Sequence, residues 1–199
     1  ATINEVFGSP RTGQTYTFVL ADLSGVQRTV SMTAAQITKT PVQNVGTINT
    51  PSGRVGYITF NDHILPAEGQ LVTAFTQLQS QGVKDLVLDL RYNGGGRLFI
   101  ASEIAYMVAG STRTANKTFE RLQLSDKRAA ETNDPQNNMP FYNVASGEPN
   151  TGTTANAPLP TLNLGRVYVL ASPGTCSASE AIVNGLRGVG VDVILVGGT

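Results

Sequence analysis

From Arg54 onward, short apolar runs alternate with segments of helical periodicity, and few architectures accommodate that rhythm. Val55-Gly-Tyr-Ile-Thr-Phe60 reads as a strand. From Glu68 to Gln81, the residues Leu71, Val72, Phe75 and Leu78 fall on one helical face before Gly82 closes the helix. Asp85-Leu-Val-Leu-Asp-Leu90 is almost continuously apolar, which suits a strand covered on both faces. Arg91-Tyr-Asn-Gly-Gly-Gly96 then turns the chain into a helix from about Leu98 to Val108. Arg166 to Ala171, Ser179 to Leu186 and Val191 to Val196 repeat the order strand, helix, strand. Strands joined through helical crossovers run parallel, so the expected fold class is α/β, built from layered βαβ units. In such sheets functional residues gather at the C-terminal strand ends.

Ahead of this core, Thr15 to Leu20 and Val26 to Met32 form an expected hairpin around the turn Asp22-Leu-Ser-Gly25. Pro41 and Pro51 bracket a Gly/Asn-rich stretch from Gln43 to Gly53 that reads as a connector. The domain boundary is placed near residue 45, giving segments 1–44 and 45–199. From Ser111 to Pro160 the composition turns polar, and a loop of that length inside a compact domain is usually functional or mobile.

Fourteen basic and fourteen acidic residues among 199 leave no net charge and no basic cluster, which argues against nucleic acid or an anionic membrane as partner. The single cysteine, Cys176, precludes an internal disulfide, and the lone histidine, His63, makes a His/Cys metal cluster improbable. No cofactor is expected. No run approaches about 18 apolar residues and no leader precedes the hairpin, so membrane association is expected only through an N-terminal anchor outside this chain. Because the sequence opens and closes within structural elements, it reads as cut from something longer.

Two strand-to-helix turns carry the chemistry. Gly174-Thr-Cys-Ser-Ala-Ser-Glu180 places a hydroxyl at a helix start, where unpaired N–H groups and the helix dipole favour a developing oxyanion. The same residues also spell a capping box, with Ser177 as N-cap and Glu180 three positions on. Asn93-Gly-Gly-Gly96 lets backbone approach a ligand closely, as an oxyanion hole or a phosphate loop would require, although a P-loop lacks its Gly-Lys-Ser/Thr here. Asp89 and Arg91 are expected to pair and shape that turn. His63 reads as an exposed loop histidine, Lys84 and Lys117 as solvated lysines, and Cys176 as a small buried residue.

Gly56-Tyr-Ile-Thr-Phe60, Leu88-Asp-Leu-Arg-Tyr-Asn-Gly-Gly-Gly96 and Cys176-Ser-Ala-Ser-Glu-Ala-Ile-Val-Asn-Gly-Leu186 together resemble the carboxyl-terminal processing proteases, the tail-specific or tricorn-type serine peptidases. The resemblance implies a crotonase-like or ClpP-like protease core and makes the N-terminal hairpin the last part of a PDZ domain. By position it makes Ser177 the nucleophile and assigns the oxyanion hole to the N–H groups of Ala178 and Gly95, with Gly96 as the neighbouring alternative. Asp89, Arg91, Asn93 and Glu180 become supporting residues. The family's general base is a lysine in a Gly-Lys motif after the strand that follows the nucleophile helix, a position beyond Thr199, so the fragment by itself is expected to be inactive. An exported bacterial endopeptidase of the periplasm or cell envelope, acting on polypeptides, is the implied function. The alternatives are an inactive peptide-binding module of the same fold and a crotonase-type acyl-CoA enzyme, whose chemistry has no need of a serine at a helix start.

Overall fold

A computed structural model describes residues 8–198, which divide into one unit ending at Lys39 and another beginning at Thr40. The first is a hairpin of β1 (Thr15–Ala21) and β2 (Gln27–Thr33), paired from Thr15↔Thr33 to Ala21↔Gln27. Its turn is held by Asp22, whose Oδ1 accepts from the Ser24 N–H at 2.9 Å and the Val26 N–H at 3.0 Å. A bond from the Ser24 hydroxyl first, and then these two backbone bonds, hold the Asp22 carboxyl below its ordinary range.

The second unit is mixed α/β. Its central sheet has the order β3 (Val42–Thr50), β4 (Gly53–Phe60), β5 (Asp85–Asp89), β8 (Arg166–Ala171), β9 (Asp192–Gly197), with β3 antiparallel to β4 and the remaining pairs parallel. The connecting helices are α1 (Ala67–Ser80), α2 (Leu98–Ala109) and α3 (Ala178–Gly188), and α2 packs against both others. That position explains its composition: nine of its residues are buried, including Ile100, Ile104 and Met107. Ile58, Phe60, Leu86, Leu88, Val167 and Val169 supply the sheet's share of the core, all fully buried. Gly56 sits opposite Leu86 because a side chain there would come within 3.0 Å of Leu78 on α1. The second face of the sheet is less completely covered, with Tyr57, Val87, Tyr168 and Ile194 half-buried in one cross-strand row. At the opposite edge from the candidate site, Arg166 grips Asp85 with two bonds of 2.9 and 2.8 Å, tying β8 to β5.

Two stretches differ from expectation. Gln43 to Gly53, read as a connector, is mostly strand β3, with a bulge between Gln43 and Gly46. It lies at the sheet edge, where Gln43, Asn44 and Asn49 meet solvent, and its prolines flank the ladder instead of interrupting it. The polar segment after Ser111 also contains structure: helical turns at Ser111–Thr114 and Ala129–Thr132, and a small sheet of β6 (Thr118–Arg121) with β7 (Asn138–Pro140). Its anchors are few but apolar. Phe119 and Phe141 meet edge to face at 5.3 Å, and both are buried.

A buried carboxyl pair fastens the later part of that segment to the helices. Glu68 of α1 accepts bonds from the Ser146 N–H, the Ser146 hydroxyl at 2.8 Å and the Thr153 hydroxyl at 3.1 Å. Glu103 of α2 is hydrogen-bonded to Glu68 and 1% exposed, and burial first, then the Glu68 charge, pushes its carboxyl from 4.5 up to about 9. Glu103 is therefore protonated in the folded state and can donate. In the unfolded chain it ionises near its ordinary value, so its contribution to stability is complete below that value and is lost as pH rises toward 9.

The thermal midpoint should accordingly fall from pH 5 to pH 9, and Glu103→Gln, which keeps a neutral donor, should flatten that fall in a melting series; an equal fall in both proteins contradicts this assignment. Gly185 of α3 faces the Phe119 ring, which a β-carbon there would approach to 2.5 Å. Alanine gains about 1 kcal/mol of helix propensity, but overpacking costs roughly 1–3 kcal/mol, so Gly185→Ala should lower stability in denaturant titration.

Candidate active site

Because β4, β5 and β8 are adjacent and parallel, the loops after Phe60, Asp89 and Ala171 open on one edge of the sheet. Asn93, fully buried, joins all three. Its Nδ2 donates to the Phe60 carbonyl at 2.9 Å, and its Oδ1 accepts from His63 Nδ1 at 2.9 Å and from the Gly95 N–H at 3.0 Å. Its own carbonyl accepts from the Ser179 hydroxyl at 3.0 Å and the Cys176 N–H at 3.4 Å. Thr175 adds a second stitch, donating to the Leu90 carbonyl at 2.8 Å and accepting from the Ser172 N–H at 3.0 Å. The glycine turn is shaped from outside by Asp89, which takes two bonds from the Arg91 guanidinium, at 2.9 and 2.7 Å, one from the Arg91 N–H at 3.2 Å and one from the Tyr57 hydroxyl at 2.7 Å. Arg91 is the main cause holding the Asp89 carboxyl below its usual range, with Tyr57 adding to it.

Ser177 is exposed at the start of α3 with φ 55° and ψ −118°. Every other non-glycine residue with positive φ among those described is an asparagine, the residue type that tolerates such backbone at least cost. An ordinary N-cap adopts extended backbone, so capping alone gives no reason for this strain. A strained strand-to-helix elbow does have a use: it lifts a side chain clear of the sheet edge. Glu180 supports the elbow, its Oε2 accepting the Ser177 N–H at 2.7 Å. Gly95, at φ 101°, packs so closely against the elbow that a β-carbon would lie 2.8 Å from Ser177 Cβ and 2.9 Å from the Ala178 nitrogen. Only glycine fits there.

Two backbone donors were expected at this spot, Ala178 and Gly95, with Gly96 as the alternative to Gly95. The Gly95 N–H is engaged by Asn93 Oδ1, whereas the N–H groups of Gly96 and Ala178 have no acceptor among the described residues. Beside Ser177 lies a cleft of about 400 Å³ with Leu98, Phe119 and Ala181 as apolar walls and Glu120, Glu180 and Asn184 as polar ones. Glu180, Ala181 and Asn184 stand three, four and seven residues after Ser177, so helical spacing already put them on one face. Phe119 and Glu120 went unseen because β6 is four residues long within a polar stretch.

Two sequence readings are corrected. His63 is 1% exposed, not a solvated loop residue: it packs edge-on to Phe60 at 4.5 Å and bridges to Gly96. Since Oδ1 of Asn93 can only accept, Nδ1 carries the proton; Nε2 is buried without a partner among the described residues. Burial pushes this imidazole down to about 4, so it is neutral at physiological pH. Cys176 is exposed, because the elbow turns the residues ahead of α3 outward from the strand that precedes them. Lys84 and Lys117 are exposed, and no group of three or more His, Cys, Asp or Glu among the described residues could hold a metal ion. No helix of the described residues is long and apolar enough to cross a membrane.

The sequence profile of peptidase family S41 matches residues 54–199. The chain is 33% identical over 161 residues to the carboxyl-terminal-processing protease of Picosynechococcus sp., covering 80% of this chain and 32% of that protein. It is 38% identical over 172 residues to the chloroplastic C-terminal processing peptidase of Tetradesmus obliquus, covering 80% and 31%. The chain thus spans about a third of the length of these curated relatives. Among solved structures, an S41 protease described as putative from Bacteroides fragilis superposes with a TM-score of 0.62 at 27% identity, covering 90% of this chain and 45% of that one. With the glycine turn, the serine elbow and the parallel strands that carry them all inside the matched region, the chain belongs to peptidase family S41.

Proposed function

We propose that residues 40–199 form the nucleophile half of a serine endopeptidase of the C-terminal processing type. The observation that carries this reading is the strained backbone of Ser177 at the mouth of a cleft, beside a glycine that no other residue could replace. Ser177 Oγ attacks a peptide carbonyl as a base takes its proton; the C–N bond then breaks, the amine leaves with that proton, and water hydrolyses the acyl-enzyme. The Ala178 N–H and a glycine N–H bind the oxyanion. Gly96 offers a free donor as the structure stands, and Gly95 would have to exchange Asn93 for substrate. Asp89, Arg91, Asn93 and Glu180 hold the two turns.

The base in this reading is a lysine from the region that follows Thr199 in the full-length protein. His63 is a poor candidate, since its ring is buried within the Asn93 network and its Nδ1 is committed there. The hairpin unit reads as the end of a PDZ-type module that presents polypeptide termini, and the full-length protein as an exported one of the bacterial periplasm or envelope. A catalytically silent peptide-binding module would share the fold but would have no need of the Ser177 strain.

In the full-length protein a fluorophosphonate probe should label one site, and Ser177→Ala should abolish labelling while the melting curve holds or rises. Labelling that persists in Ser177→Ala, or none in a folded wild-type protein, sinks the peptidase reading, and the second result favours the binding module. Asn93→Ala removes a side chain with three buried bonds and should cost about 2–4 kcal/mol. It should also slow labelling at least about tenfold at temperatures where it remains folded; unchanged labelling would make Asn93 merely structural.

A further inference from the structure

The cleft beside Ser177 has a composition that selects among substrates. Three walls are apolar: Leu98 at the start of α2, Phe119 of β6 and Ala181 of α3. The charged groups on it are both carboxyls, Glu120 and Glu180. Glu180 is already occupied by the Ser177 N–H. Glu120 is half-buried, and its Oε2 is shut off from solvent with no hydrogen-bond partner. Neighbouring cations do not serve it. Arg121 donates instead to the Thr132 carbonyl at 3.1 Å and Asn133 Oδ1 at 2.7 Å, and Arg97 faces Glu148 at 3.7 Å. A carboxyl that lines a cleft with no cation of the chain paired to it attracts an opposite charge that enters the cleft.

We propose that this cleft receives the substrate side chain next to the scissile bond and that Glu120 selects a cationic one, lysine or arginine. This rests on the peptidase reading above. The aliphatic stem of such a side chain lies along Leu98, Phe119 and Ala181, and its charged tip reaches Glu120 past the nucleophile. Glu120 is then a specificity residue, and the pocket rejects acidic side chains by placing two carboxyls in their path.

Peptides that differ only at the residues flanking the cut, carrying Lys, Arg, Leu or Glu, would be compared on the full-length protein. The expected kcat/KM is roughly tenfold or more higher for Lys and Arg than for Leu, and lowest for Glu. Glu120→Gln, of the same shape, should bring the Lys-to-Leu ratio near one, and Glu120→Lys should invert the order of Lys and Glu peptides. Cleavage without preference for a cation, or a preference that survives Glu120→Gln, overturns the proposal and leaves the peptidase reading standing. Binding of the same peptides to Ser177→Ala, with and without Glu120→Gln, gives a readout that needs no turnover. Tighter binding of Lys peptides that depends on Glu120 upholds the pocket even if the wild-type protein cuts nothing, and binding indifferent to Glu120 overturns it.

Discussion

One buried amide holds the candidate site in place. Asn93 spends its acceptor on His63 and Gly95, its donor on the end of β4, and its carbonyl on the residues flanking Ser177. No other short side chain satisfies that set: aspartate could accept from His63 and Gly95 but has nothing to donate to the Phe60 carbonyl. Phe60, His63 and Gly95 are all buried, so losing the amide would leave several polar groups unpaired away from water at once. The neutral His63 ring is part of the same requirement, because its Nδ1 proton completes the Asn93 acceptor.

Upon that tie the rest of the site depends in sequence. The glycine turn can approach the elbow only because Gly95 has no β-carbon, and the approach is what sets Ala178 beside it. Glu180 then steadies the strained backbone of Ser177 from within the first turn of α3. Phe119, pressed against Gly185 of the same helix, closes the cleft into which the serine faces. Ser177, the neighbouring backbone N–H groups and the cleft are thus fixed by helix α3 and its two contacts, one with the glycine turn and one with β6.

The sequence was most readable where periodicity and burial coincide. The strands and helices from Val55 to Val196 follow apolar spacing, and the two turns announce themselves by glycine and by small hydroxyl residues that extended structure would not favour. Edge strand β3 was hidden because most of its exposed residues are Gln and Asn, as in a loop. His63 and Glu103 were misjudged or missed for a common reason: a polar residue is buried only when partners far along the chain meet it, and Asn93 is 30 residues from His63. The same holds for Glu120, whose place beside Ser177 comes from Phe119 packing on α3 and not from any local pattern. Backbone strain at Ser177 is likewise silent in the sequence, where Ser and Glu three apart spell only a cap.

That strain gives the account its sharpest test, since Ser177 has an exposed thiol as its immediate neighbour. Acylation of the full-length protein with a nitrophenyl ester, quenching in acid, and peptide mapping by tandem mass spectrometry would locate the adduct to one residue. The account predicts a single acyl group on Ser177, formed fast and then released by water. An adduct on Cys176 instead, or none on a folded protein, would contradict it.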